Sequence, residues 1–164
     1  MKTCSSILFF FFLFSFQFIC AQNITSWKLQ DMKNVIANAS QPTVFNFWAT
    51  FCQPCVKEIP YFEQLVKRYK NAGVKLVLVS LDLQESYPQK IKSFVQQRKF
   101  TSPIVYLDET NADLFCPVVD SSWSGAIPAS LFVNNKTGYK KFFDEGLSRK
   151  KFEKEVQAML QKQR

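Results

Sequence analysis

The chain has no histidine among its 164 residues. That absence removes Ser-His-Asp and Cys-His nucleophile systems, and metal sites built on imidazole. Cysteine is sparse where it counts. Of the five, Cys4 and Cys20 fall in the first twenty-one residues, where Lys2 is followed by an apolar stretch from Ile7 to Ile19 and by small Ala21. This is the layout of a secretory signal peptide, and the stretch is too short for a comfortable membrane span. Residues 1–21 are therefore expected to be a cleaved leader and 22–164 a single exported domain, soluble in the periplasm or another extracytoplasmic space. Two rivals are a lipoprotein anchored through Cys20, against which bulky Ile19 stands, and an uncleaved anchor. Cleavage leaves Cys52, Cys55 and Cys116, too few for a disulfide-stapled scaffold.

No repeat and no low-complexity segment occurs outside the leader. The formal charge is +8 and falls to +7 if Lys2 leaves. Nine basic and four acidic residues lie from Lys136 to the end, a density expected of a solvated helix face. No basic-aromatic motif accompanies it, so no nucleic-acid partner is expected.

The apolar spacing of 26–39 predicts a short amphipathic helix. "TVFNFWA" (43–49) reads as a buried strand, and 53–72 as a helix closed by Gly73 in a left-handed C-cap. The nearly continuous apolar run 74–83 is expected of a central parallel strand. A helix follows over 87–99, a short strand over 103–107, and another helical turn or two over 109–116. Segments 129–135 and 139–145 flank "NKTG" as an antiparallel hairpin. Ser148 opens a final helix whose Phe152, Val156 and Leu160 face the sheet. The order defines an α/β layer fold around a mixed sheet.

Within it, "NFWATFCQPCVKEIP" (46–60) places Cys52 and Cys55 where a strand passes into a helix. The pair could be redox-active, half of a metal site, or two small core hydrophobes. A helix N-terminus stabilises a thiolate at Cys52, and Pro54 in the first turn costs little. Regular helical neighbours three apart have β-carbons about 5–6 Å apart, whereas a disulfide needs about 3.5–4.5 Å. Bridging works best with the first cysteine off the helical path. A metal site needs about four ligands; without histidine, Cys116 and the methionines are the remaining soft donors, and no metal or cofactor is expected.

The same segment resembles the active site of the thioredoxin superfamily, most closely its exported TlpA/ResA/CcmG-like thiol-disulfide oxidoreductases. Pro60 matches the proline that kinks the active-site helix. "WSGAIPASLFVNNKTG" (123–138) is similar to the cis-proline loop, with Pro128 at the proline position. The resemblance runs from about Thr43 to the C-terminus. It implies a thioredoxin fold, with helices on both faces of the sheet and an insertion before the cis-proline loop. It also implies Cys52 and Cys55 as a catalytic, redox-active disulfide pair that reduces client protein disulfides, with electrons from a membrane donor of the DsbD/CcdA type and cytochrome c maturation among the possible settings. Pro128 and Ile127 would line the client groove, Ile127 through its main chain, beside Phe51 and Trp48 as wall and packing residues. Phe51 replaces the usual Trp before the first cysteine. Asn46 replaces the buried Asp of ordinary thioredoxins and cannot titrate, while Glu58 coincides with a glutamate of the ResA-like branch. Glu58 is thus expected to be partly buried, with a raised pKa, and to accept the Cys55 proton. Cys116 is expected in the core or a loop rather than in a third redox role, and Trp123 in the core or on the cleft rim. The alternatives are an AhpC/TSA-type thiol peroxidase, whose P-x-x-x-T-x-x-C pattern fails at Ala49, and a non-enzymatic metallochaperone or peptide-binding module.

Overall fold

The computed structural model describes residues 23–161; the expected leader, with Cys4 and Cys20, lies outside them. Strand β1 (Thr25–Trp27) and helix α1 (Leu29–Ala37) come first. The spacing of 26–39 suggests one helix. The structure instead gives the first residues to the sheet and starts the helix at Leu29, where the Asp31 carboxylate accepts the Lys28 N–H at 2.9 Å. Strand β2 (Thr43–Trp48) leads into α2 (Gln53–Arg68). That helix stops four residues short of expectation, and a 3₁₀ turn (Lys70–Ala72) runs to Gly73, whose φ of 74° is the left-handed cap foreseen. Strand β3 (Lys75–Ser80) precedes a 3₁₀ turn (Gln84–Ser86), a cis Tyr87–Pro88 bond that the sequence did not suggest, and α3 (Gln89–Arg98).

After β4 (Ile104–Leu107) comes α4 (Ala112–Val119), begun by Asn111, whose side-chain oxygen accepts the Asp113 N–H at 3.0 Å. The hairpin of β5 (Ala129–Asn134) and β6 (Tyr139–Phe143) and the last helix, α5 (Arg149–Leu160), lie as the pattern indicates. Ser148 caps α5 by accepting the Lys151 N–H at 3.3 Å. One detail differs: Met159 is fully buried, whereas Leu160 is only half-buried.

The six strands form one mixed sheet in the order β1-β4-β3-β2-β5-β6. β1, β4, β3 and β2 are mutually parallel, while β5 runs antiparallel to β2 and β6 antiparallel to β5. Every residue of β2 is buried, because helices cover both faces. Val44 and Trp48 face a core built with Phe62 of α2, Ile91 and Val95 of α3, and Phe152 of α5. Phe62 and Phe152 stack there at 3.9 Å between ring centres. The alternating residues Phe45 and Phe47 face a second core with Met32 and Ile36 of α1, and Phe115 and Val119 of α4. Two-sided burial explains why β2 is apolar except for Thr43 at its start and Asn46 within it.

Candidate active site

β2 ends at Trp48, and the chain turns through Ala49–Cys52, closed by the Cys52 N–H donating to the Ala49 carbonyl at 3.0 Å. Cys52 is the N-cap of α2, with extended backbone (φ −83°, ψ 93°). Standing off the helical path, it brings its Cα to 5.3 Å from that of Cys55, and the two sulfurs form a disulfide. The Cys55 N–H donates to Cys52 Sγ at 3.3 Å, so the sulfur occupies the place of a capping acceptor. The pair is asymmetric. Cys52 retains 8% exposure and Cys55 none, so only the first cysteine offers any surface to solvent.

Glu58, one turn beyond Cys55, points inward and is 3% exposed. Asn46 Nδ2 donates to Glu58 Oε1 at 3.0 Å and the Leu147 N–H donates to Oε2 at 3.1 Å. Asn46 is held by its cross-strand neighbours, with Nδ2 also 3.1 Å from Ser130 Oγ and 3.3 Å from the Ala129 carbonyl. Burial pushes the Glu58 carboxyl up to about 7, and the two donated hydrogen bonds hold it back only in part. This carboxyl belongs to the same layer as the proline loop: a β-carbon placed on Gly146 would lie 3.6 Å from Pro128 Cγ and 3.7 Å from Glu58 Oε2.

The Ile127–Pro128 bond is cis. The β2–β5 register sets Ala129 opposite Phe47, which brings Pro128 beside the cysteine turn. Pro128 is buried and Ile127 half-buried. Phe51 is 67% exposed on the rim. Trp48, expected to line the client groove as a wall and packing residue, keeps only the packing part: it has no exposed surface and packs against Phe94 and Phe100 at 6.0 and 5.7 Å. It is a wall beneath the site and no client contact, because its strand position turns it into the first core. Trp123 belongs to the second core, its indole N–H donating to the Ala126 carbonyl at 2.8 Å. Cys116 is a free, buried thiol in that same second core, across the sheet from the pair, and burial pushes its pKa up. Sequence reasoning missed Asp82, whose carboxylate accepts from Thr50 in the cysteine turn. A lone acid closing the run "VLVSLD" was the available signal.

This architecture is the thioredoxin fold. The family model described as AhpC/TSA family matches residues 7–138, and the chain belongs to that family. It is 39% identical over 70 residues to sporulation thiol-disulfide oxidoreductase A of Bacillus subtilis (strain 168), covering 43% of this chain and 42% of that protein. It is 29% identical over 115 residues to thiol-disulfide oxidoreductase ResA of Bacillus cereus, covering 70% of this chain and 61% of that protein. The chain thus spans about two fifths to three fifths of the length of these relatives. Among solved structures, a thioredoxin-related protein from Neisseria meningitidis serogroup B superposes with a TM-score of 0.62 at 25% identity, over 73% of this chain and 85% of that one. StoA from Bacillus subtilis superposes with a TM-score of 0.54 at 30% identity, over 70% and 81%.

The raised Glu58 value carries a stability consequence. Folded Glu58 binds its proton more tightly than the unfolded side chain, with a value of about 7 against 4.5. Its contribution is therefore full below about pH 4.5 and is lost as pH rises through about 7, roughly 3 kcal/mol in all. Urea unfolding of the oxidised protein should show wild-type stability falling between pH 5 and 8 relative to Glu58→Gln, which cannot titrate. Parallel curves for the two proteins would contradict the buried carboxyl.

Cys116 faces the other core, so Cys116→Ala should leave the equilibrium of the close pair with a reference dithiol unchanged within twofold. Peptide mapping that found Cys116 bridged to Cys52 or Cys55 would refute this separation.

Proposed function

We propose that the protein is a thiol-disulfide oxidoreductase that reduces disulfides of client proteins outside the cytoplasm. The observation that carries this reading is the asymmetric pair at the head of α2: an accessible Cys52 on extended backbone and a sealed Cys55 behind it. In the dithiol form, the Cys52 thiolate attacks one sulfur of a client disulfide. The client S–S bond breaks, its second sulfur leaves as a thiolate, and a mixed disulfide forms. Cys55 then gives up its proton and attacks Cys52 Sγ. The mixed disulfide breaks, the remaining client sulfur departs, and two electrons have passed to the client. The enzyme is left with the Cys52–Cys55 disulfide.

Glu58 is the proposed acceptor of the Cys55 proton. It lies one turn along the same helix, and its value of about 7 suits exchange at neutral pH. The client strand is proposed to lie along the cis-proline loop, taking main-chain hydrogen bonds at Ile127 beside Pro128 and Phe51. Regeneration needs an external dithiol, and an exported protein would draw it from a membrane donor of the DsbD/CcdA type. Residues 1–21 are proposed as the export leader. Among the described residues no helix is long and apolar enough to cross a membrane. The AhpC/TSA family match favours a second reading, a thiol peroxidase, although Ala49 stands where the peroxidase pattern needs threonine. Hydroperoxide consumption faster than client reduction would support that reading over ours.

Cys52→Ser should abolish reduction of insulin disulfides, and Cys55→Ser should accumulate a mixed disulfide through Cys52, visible by mass. Full turnover by Cys52→Ser would overturn the assignment of roles.

Glu58→Gln should slow resolution of the mixed disulfide by about ten- to a hundredfold near pH 7 and shift the pH dependence of Cys55 release. Rapid-quench alkylation against pH measures both. Superimposable profiles would mean that the proton leaves through water.

A further inference from the structure

The cysteine turn is attached to a buried carboxylate just beyond the neighbouring strand. Asp82 stands two residues past β3 and is 3% exposed. The Thr50 N–H lies 3.2 and 3.1 Å from its two oxygens, the Thr50 hydroxyl donates to Oδ1 at 2.5 Å, and the Ser80 hydroxyl donates to Oδ2 at 2.7 Å. The Asp82 N–H in turn donates to Ser80 Oγ at 3.2 Å. Beside this cluster the Leu81 N–H donates to the Trp48 carbonyl at 2.8 Å, carrying the β2–β3 ladder to the foot of the turn. Thr50 and Phe51 are the two central residues of that turn. Fixing Thr50 at both its N–H and its hydroxyl leaves one residue of freedom before Cys52.

A buried carboxylate is costly unless donors surround it. Packing β3 against β2 does not call for one, since Leu78, two strand positions before Ser80, is apolar and fully buried on the same face. The polar cluster is confined to the end of the sheet that carries the sulfurs. Its value is greatest when the disulfide is open. In the oxidised protein Cys52 is tied covalently to α2, but in the dithiol and in the mixed disulfide that tie is gone, and the Thr50–Asp82 contacts remain to hold the turn. Thiol-disulfide exchange requires the attacking sulfur to approach along the line of the S–S bond, so drift of Cys52 reduces the rate without touching its chemistry.

Building on the oxidoreductase reading, we propose that Asp82 is a positioning residue for the exchange reaction, acting through Thr50 to keep Cys52 Sγ in line for attack on a client and for attack by Cys55. The variants are Thr50→Val, which keeps shape and loses the hydroxyl bond; Thr50→Ser, which keeps the bond; and Asp82→Asn, which turns one acceptor into a donor. The readout is the stopped-flow rate of the fully reduced protein with the small disulfide 5,5′-dithiobis(2-nitrobenzoate), beside iodoacetamide alkylation, which needs no sulfur alignment, and thermal melts. Thr50→Val and Asp82→Asn should lower the disulfide-exchange rate by about tenfold while changing alkylation less than twofold, and Thr50→Ser should restore wild-type exchange. Exchange by folded Thr50→Val within twofold of wild type would overturn the assignment, whether or not Asp82→Asn folds. Equal losses in exchange and alkylation would also overturn it, by making the contact a matter of access. If wild type itself exchanged with no disulfide, the oxidoreductase reading would fall first, and this assignment with it.

Discussion

Strand β2 must be kept from water on both of its faces. Its six buried residues include three aromatic rings, and a strand of that kind is stable only between two strands and beneath two helix layers. Parallel β3 supplies one neighbour and antiparallel β5 the other. α2, α3 and α5 close one face and α1 and α4 the other. The ends of β2 have no such freedom of design. At its C-terminal end the chain must leave the sheet and start α2 within four residues, and that junction puts Cys52 at a helix N-terminus.

The same register assembles the rest of the site. Pairing Phe47 with Ala129 brings the cis Ile127–Pro128 bond beside the turn, and pairing Asn46 with Ser130 fixes the amide that donates to Glu58. Leu147 ties the loop after β6 into the same layer, donating its N–H to Glu58 while its carbonyl accepts the Tyr61 hydroxyl of α2. Two buried carboxyl groups thus flank the cysteines from different elements. Glu58 reaches in from α2 behind Cys55; Asp82 holds the turn in front of Cys52. One has neutral partners and a raised pKa suited to proton exchange. The other is saturated by donors and suited to holding geometry.

Much of this was legible in the sequence because it rests on local rules. "NKTG" between two apolar runs sets the hairpin, Ser148 sets the start of α5, and the cysteine spacing after a β-branched, aromatic strand sets the site. What escaped depends on tertiary contact. Thr25–Trp27 is too short to show a period, and its strand character comes from pairing with β4. Trp48 reads as a wall of the client groove, but its strand position buries it wholly in the core. The inward turn and raised value of Glu58 are expected from its place one turn past Cys55, but the partners that hold it, Asn46 and Leu147, arrive from other elements. The Asp82 carboxylate is one polar residue at the end of an apolar run, and its partners show only when the turn after β2 brings Thr50 against it.

With no histidine in the chain, few side chains could fill the proposed role of proton carrier. Among the described residues the buried acids are Glu58, Glu63, Asp82 and Glu155. Glu155 is matched by Lys141 at 3.3 Å and by the Tyr139 hydroxyl at 2.6 Å, on the α5 side of the fold. Glu63 accepts the N–H groups of Thr101 and Ser102 at 2.7 and 2.6 Å, ahead of β4 and at the opposite end of that strand from β1's last contact. Asp82 is engaged by the turn. Glu58 alone combines a place one turn from Cys55 with partners that carry no positive charge. A cation beside it would favour the carboxylate and draw its pKa back down. With only an amide and a backbone N–H for company, desolvation prevails, and a glutamate acquires the neutral-range titration that other sites obtain from imidazole.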